Sequence, residues 1–186
     1  GGFKPIKVGT NSNGRVDMND LRLKVDKDTA GMMLTQPNTL GLFEDEIEEI
    51  SRIIHNVDGL MYMDGVNLNA LLGISRPFEM GFDITHINLH KTFSTPHGGG
   101  GPGAGPIAVV EKLSEYLPVP RVIKNDDGYR LSTDYKNSIG RLHAFYGNFL
   151  VLVRAYSYIL TLGNSGLKRM SKIAILNANY LKKKLE

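Results

Sequence analysis

Short apolar runs alternate with amphipathic segments along the first part of the chain, and this alternation restricts the possible folds more than any other feature. Apolar runs of strand length occupy residues 5–8, 31–34 and 60–63. Residues 18–25 and 44–57 instead carry apolar side chains at helical spacing. Strands separated by helices pair in parallel, so we predict an α/β fold built on a parallel or mixed sheet. The strands are nearly continuously apolar, which favours a sheet covered on both faces.

The second half of the chain continues the sheet and then changes character. We predict two further strands and two helices, at residues 84–88, 106–110, 141–162 and 167–185. Asp126, Asp127 and Gly128 are typical of a turn, and Gly163 is typical of a helix end. The sequence therefore predicts an α/β sheet portion with the functional site at residues 1–125 and a helical portion at residues 126–186.

Composition excludes several classes of site. The chain has no cysteine, which removes disulfides, thiol nucleophiles and thiolate metal centres and is consistent with a reducing cytosol. No pair among the five histidines combines helical i, i+4 spacing with a nearby acid, so we predict no metal site. The basic residues are spread along the chain, and the net charge of +3 is weak support for nucleic acid binding.

Two further sequence patterns concern the cellular location of the protein. The most apolar stretch, residues 149–162, is interrupted by Arg154 and is too short to cross a bilayer. The first residues lack the basic and apolar regions of a signal peptide. We therefore predict a cytoplasmic protein without a membrane span.

Polar residues follow three of the predicted strands. Residues 36–39 follow the strand that ends at Leu34, Asp64 follows the next strand, and residues 88–92 follow the strand after that. Ligands of open α/β sheets bind at the carboxyl ends of the strands. The sequence therefore predicts that amide, carboxylate and amine groups surround one crevice.

An amine and a carboxylate in one crevice are the groups that a pyridoxal cofactor requires. Lys91 would supply the amine for a Schiff base, and Asp64 would keep the pyridine nitrogen protonated so that the ring accepts electrons. An aspartate that caps a helix and a lysine in a surface loop are also common. Taken alone, these two residues favour the plainer interpretation.

A glycine tract follows the lysine. Residues 97–103 hold His97 and then five glycines interrupted by one proline, without the Gly-Lys-Ser/Thr ending of a nucleotide-binding loop. Glycine permits many backbone conformations, so the tract is either a mobile linker or a loop that lets a bulky substrate approach Lys91. The residues of the tract give equal support to these two interpretations.

Several long strings in this sequence occur together in one family. They are MLTQPNTLGLFE (33–44), YMDGVNLNA (62–70), RP (76–77), MGFD (80–83), NLHKTF (88–93), PHGGGG (96–101), SIGR (138–141) and FYGNF (145–149). In content and order they resemble glycine dehydrogenase (decarboxylating), the P-protein of the glycine cleavage system, in the form of its separate second subunit. The resemblance extends over nearly the whole chain.

This resemblance implies a fold-type I pyridoxal-phosphate (PLP) enzyme, an oxidoreductase of glycine catabolism. Such an enzyme decarboxylates glycine and transfers the aminomethyl group to the lipoyl arm of the H protein, and its partner is a homologous first subunit in a heterotetramer. Lys91 is implied to be the Schiff-base lysine, and Asp64 the partner of the pyridine nitrogen. The other implied neighbours of the cofactor or substrate are Gln36, Asn38, Thr39, His90, Thr92, His97, Gly98, Gly99, Gly100 and Gly101.

The sequence departs from the family pattern at three positions near these residues. Gln36 stands where Asn is expected, Met63 where Tyr is usual, and Val66 where Ala is usual. The resemblance covers only the latter part of the large PLP-binding domain, without the upstream phosphate-binding segment or the small domain. We therefore expect an incomplete large domain followed by long helices.

Two alternative functions share some of these features. Another fold-type I enzyme, of the aminotransferase or desulfurase type, would have the same aspartate and lysine but not the long glycine tract. A non-catalytic subunit of the complex is the other alternative, and the presence of Lys91 argues against it.

Overall fold

The computed structural model describes residues 2–101, 103–144 and 146–186. The helices are α1 (Met18–Lys24), α2 (Ile47–His55), α3 (Leu89–Thr92) and α4 (Phe149–Leu185). The strands are β1 (Gly31–Thr35), β2 (Leu60–Gly65), β3 (Ile84–Ile87), β4 (Ile107–Val109), β5 (Arg121–Asn125) and β6 (Gly128–Ser132). Phe145, within the FYGNF string, lies outside the described residues.

The first four strands form one sheet in the order β1-β2-β3-β4. β1, β2 and β3 are parallel, and β4 is antiparallel to β3. This arrangement confirms the predicted α/β fold with a mixed sheet. Three parallel strands bring their carboxyl ends to the same edge, where Asp64 and the start of α3 lie.

The strand predicted at residues 5–8 is wrong. Side chains of α1, rather than a strand, bind the backbone in and directly after this segment: the Lys24 ammonium donates to the Lys7 carbonyl at 2.7 Å, and the Gly9 N–H donates to Asp20. Pro5 also lacks the N–H that a ladder needs. The segment therefore runs beside α1 and outside the sheet.

The helix predicted from residue 141 begins instead at Phe149. Gly140 and Gly147 have φ values of 90° and 101°, a conformation that does not belong to a right-handed helix. The break expected at Gly163 is confirmed, because this residue has φ 59° and ψ −174° inside α4. The change of character expected at residue 126 falls in the turn of the antiparallel β5–β6 hairpin.

The main core lies on one face of the sheet. Ile50 and Ile54 of α2 pack with Met61 and Met63 of β2, and all four are almost fully buried. Burying an aliphatic side chain of this size stabilises the fold by about 1.5–3 kcal/mol. The opposite face of β2 carries Tyr62 and Asp64 and is only partly covered. The sheet is therefore not buried on both faces as its apolar strands suggested.

Helix α4 exposes an apolar patch that consists of Val153, Tyr156 and Leu160. Their i, i+3, i+7 spacing places them on one side of the helix. Among the described residues, no helix is both long and apolar enough to cross a membrane.

We expect the 186-residue chain to self-associate through this patch, because exposed contiguous apolar surface favours association. Light scattering should show a mass above that of the monomer, and the double variant Tyr156→Glu/Leu160→Lys should lower it. The matched control is Leu23→Glu, which changes an exposed leucine of α1 and should leave the mass unchanged. A clean monomer for the unmodified chain would contradict the expectation.

Candidate functional site

Asp64 lies in a row of polar side chains across the carboxyl end of the sheet. The parallel register pairs Thr35 of β1 with Asp64 of β2, and Asp64 with His86 of β3, so all three point to the same face. The Thr35 hydroxyl donates to Oδ2 of Asp64 at 3.3 Å. His86 Nε2 lies 3.1 Å from Oδ1, and the Val66 N–H donates to Oδ1 at 3.0 Å. The carboxylate is fixed in position, and its side chain keeps 24% of its surface exposed.

Gly65 allows the strands to approach closely beside this carboxylate. A Cβ at this position would collide with the carbonyl oxygen of His86 on the neighbouring strand. Glycine is therefore required for the β2–β3 pairing that brings His86 next to Asp64.

Tyr62 extends the row on the same face, two residues before Asp64. Its hydroxyl lies 2.9 Å from Nδ1 of His86. Burial of the phenol, together with the nearby negative charge of Asp64, raises the pKa of Tyr62. The hydroxyl therefore keeps its proton at neutral pH.

Lys91 is carried on the short helix α3, which directly follows β3. Buried Leu89 and Phe93 pack against Val151 and Ala155 of α4 and anchor this helix. The Lys91 side chain is exposed, and its ammonium makes no hydrogen bond or ion pair within the described part of the chain. An anchored helix thus presents an unpaired amine near the carboxyl edge of the sheet.

The segment around Lys91 contains buried polar atoms that lack partners among the described residues. They are Asn88 Oδ1, His90 Nδ1, Thr92 Oγ1 and Thr95 Oγ1. Buried polar atoms are normally hydrogen-bonded, so these four atoms are available to a ligand or to water. His90 also packs edge-on against the ring of His97, with centroids 4.6 Å apart. Desolvation, with the positive charges of His97 and Lys91, lowers the pKa of His90 and favours its neutral form.

The residues singled out after β1 have their side chains engaged elsewhere or exposed. Gln36 is fully buried, and its amide bonds to the backbone N–H and carbonyl of Glu44. Asn38 Oδ1 accepts from the N–H groups of Leu40 and Leu42, which closes the turn. Thr39 is exposed. These contacts give Gln36 and Asn38 a role in shaping the loop, and direct cofactor contact by the three residues remains a prediction.

The glycine tract forms a turn of defined conformation. Gly98, Gly99 and Gly100 have φ values of 60°, 67° and 93°, which side chains other than glycine rarely adopt. All residues from His97 to Gly101 are exposed. The tract therefore lies at the surface beyond α3, and its contact with a substrate remains a prediction.

Sequence reasoning missed Thr35, Tyr62 and His86. The signal available was the alternation within β2, where Tyr62 and Asp64 are separated by one apolar residue and so share a face. Their pairing with His86 depends on the strand register, which cannot be predicted from a local sequence pattern. No cluster of three or more metal-ligating side chains occurs in residues 2–101, 103–144 and 146–186.

The comparison with known proteins identifies the family. The model of the glycine cleavage system P-protein matches residues 6–186. The chain is 56% identical over 185 residues to a probable glycine dehydrogenase (decarboxylating) subunit 2 from Caldanaerobacter subterraneus subsp. tengcongensis, covering 100% of this chain and 38% of that protein. It is 59% identical over 184 residues to the protein of the same name from Chlorobium chlorochromatii, covering 99% of this chain and 38% of that protein. The chain thus spans less than two fifths of the length of the curated relatives that it matches.

Solved structures show the same fold at low identity. A cysteine desulfurase from Thermococcus onnurineus superposes with a TM-score of 0.59 at 18% identity, over 87% of this chain and 39% of that chain. The cysteine desulfurase CsdA from Escherichia coli gives 0.60 at 16% identity, over 87% and 40%. These similarities support the fold alone, that of fold-type I enzymes. Together with the family match over residues 6–186, they lead to one conclusion: the chain belongs to the glycine cleavage system P-protein family.

Proposed function

We propose that Lys91 and Asp64 form the core of a PLP site. The observation that carries the proposal is their placement: a fixed, partly exposed carboxylate near the end of β2 and an unpaired amine on the helix that follows the neighbouring strand. Lys91 and Asp64 carry the amine and the carboxylate that PLP requires. Asp64 Oδ2 accepts only one hydrogen bond among the described residues, from Thr35 at 3.3 Å, and so retains capacity for a protonated ring nitrogen.

PLP, when bound, acts as an electron sink that stabilises negative charge developing on the substrate carbon. Lys91 would hold it covalently through its amine. Asp64 would hold the proton on the ring nitrogen, because a fixed anion favours the charged form of a neighbouring cation. His90 would contribute a neutral imidazole beside the lysine, since its pKa is lowered by desolvation.

We propose further that the whole protein acts in glycine decarboxylation. The family match and the names of the relatives support glycine as the substrate. Transfer of the aminomethyl group to the lipoyl arm of the H protein is the further step that the family resemblance implies. The subunit 2 designation of these relatives supports a complex with a homologous first subunit. We propose a cytoplasmic location, which the bacterial origin of these relatives supports.

Trapping with borohydride tests the cofactor site. PLP is added to the purified chain, the adduct is reduced, and the modified residue is located by peptide mass spectrometry. We expect one adduct, on Lys91. Labelling scattered over the other lysines, with no preference for Lys91, would contradict the proposed site.

A second measurement separates glycine decarboxylation from the reactions of other fold-type I enzymes. Exchange of the glycine carboxyl group with labelled bicarbonate should occur with the full-length subunit and its partners. Labelled bicarbonate that never enters glycine would favour the aminotransferase or desulfurase alternative.

A further inference from the structure

Three side chains on one face of the sheet form a continuous path of contacts. Tyr62 Oη lies 2.9 Å from His86 Nδ1, and His86 Nε2 lies 3.1 Å from Asp64 Oδ1. Tyr62 and Asp64 belong to β2, and His86 is the register partner of Asp64 on β3. The backbone pairing therefore fixes the order of the three groups.

The two oxygens of Asp64 are used unequally. Oδ1 is contacted by the Val66 N–H at 3.0 Å and by His86 Nε2 at 3.1 Å, which fills both of its lone-pair sites. Oδ2 accepts one longer bond, from Thr35 at 3.3 Å. The capacity left for another donor is therefore on Oδ2.

The groups that contact the two ring nitrogens of His86 favour one tautomer. Desolvation and the charge of Asp64 raise the pKa of Tyr62, so the phenol keeps its proton. Within the described part of the chain, the hydrogen-bond partner of this phenol is His86 Nδ1. If Nδ1 carried a proton, it would donate to the phenol oxygen, and the phenol proton would then lose its acceptor among the described residues. The satisfied arrangement has Tyr62 donating to Nδ1 and Nε2–H donating to Asp64.

We propose that Tyr62 and His86 are positioning residues that act through Asp64: Tyr62 selects the Nε2–H tautomer of His86, and His86 holds Oδ1 so that Oδ2 stays available to the ring nitrogen of the proposed cofactor. A doubly protonated His86 would form an ion pair with Asp64 and compete with a cationic ring nitrogen for the carboxylate. The neutral tautomer orients the carboxylate without that competition. The role in cofactor binding rests on the proposed PLP site, whereas the tautomer is a property of the chain alone.

The tautomer is tested without cofactor, by nitrogen-15 NMR of the histidine rings in the full chain at neutral pH. We expect His86 to show a protonated Nε2 and an unprotonated Nδ1, with the His86→Gln variant used to assign its signals. In Tyr62→Phe, the His86 ring should no longer be held in this one tautomer. Tyr129→Phe, which changes a 75% exposed tyrosine of β6, should leave it unchanged. A doubly protonated His86, or a protonated Nδ1, would overturn the inference.

Cofactor affinity tests the consequence for Asp64. His86→Leu removes the donor to Oδ1, whereas His86→Gln places an amide N–H close to the position of Nε2. We expect the Kd for PLP to rise about tenfold or more in His86→Leu and to stay within about threefold of the unmodified value in His86→Gln. The positioning role would be overturned if both substitutions weakened PLP binding equally, or if neither weakened it. If neither the unmodified chain nor the full-length subunit binds PLP, the proposed function fails, and the NMR result decides whether the Tyr62–His86–Asp64 arrangement stands.

Discussion

Replacing Lys91 with alanine is expected to reduce the borohydride-trapped PLP adduct to background. The adduct requires a primary amine, and the Lys91 amine is anchored by α3 and free of ion pairs among the described residues. The fold should be little affected, with a change in the free energy of unfolding within about 0.5 kcal/mol, because the side chain is exposed. Peptide mass spectrometry measures the first effect, and urea denaturation measures the second.

Two control variants make this result specific. Lys172→Ala removes an exposed lysine of α4 and should leave the adduct at the unmodified level. Lys91→Arg retains the positive charge but not the nucleophilic amine, and should lose the adduct as completely as alanine does. An adduct that persists in Lys91→Arg would place the cofactor on another lysine.

The largest stability effect is expected from Asp83→Ala. The Asp83 side chain is only 5% exposed immediately before β3, and its carboxylate contacts α2, β2 and the segment that follows β4. It accepts from the buried Met61 N–H at 2.9 Å and lies 2.7 Å from His55 Nε2 and 2.8 Å from Lys112 Nζ. Alanine leaves the Met61 N–H without a partner, so we expect a loss of about 3 kcal/mol in the free energy of unfolding, measured by urea denaturation.

The matched control for Asp83 is Asp45→Ala. Asp45 pairs with Arg15 at 2.8 Å, but its side chain is 62% exposed. Exposed pairs contribute little, so this variant should lose less than about 1 kcal/mol. Similar losses in the two variants would show that the buried carboxylate has no special role.

The contribution of Asp83 should also depend on pH. Burial of the carboxyl opposes its ionisation, but hydrogen bonds from Lys112, the Met61 N–H and His55 outweigh this effect and lower the pKa of Asp83. A carboxyl whose folded pKa is below its unfolded value stabilises the protein above the unfolded value, about 3.9, and loses that contribution as the pH falls through the folded pKa. The stability difference between the unmodified chain and Asp83→Ala should therefore be full at about pH 7 and shrink in strong acid.

Much of the site was accessible from the sequence because Asp64 lies at the carboxyl end of β2 and Lys91 lies on the helix that follows β3. Asp64 and Lys91 stand after apolar runs, and the strings around them are long enough to identify the family. The contacts of Gln36 could not be predicted in this way. This residue also follows a strand, but its side chain turns inward to the Glu44 backbone, a direction that depends on the folded loop.

The sequence by itself determined the α/β class, four strands of the sheet, the helix break at Gly163 and the family, because each follows from local periodicity, turn residues or contiguous motifs. The antiparallel direction of β4, the position of residues 5–8 outside the sheet, and the row of Thr35, Asp64, His86 and Tyr62 were decided only by the tertiary structure. The physical reason is strand register. A shift of one residue between β2 and β3 would turn His86 to the other face of the sheet, and no local pattern encodes the pairing that prevents it.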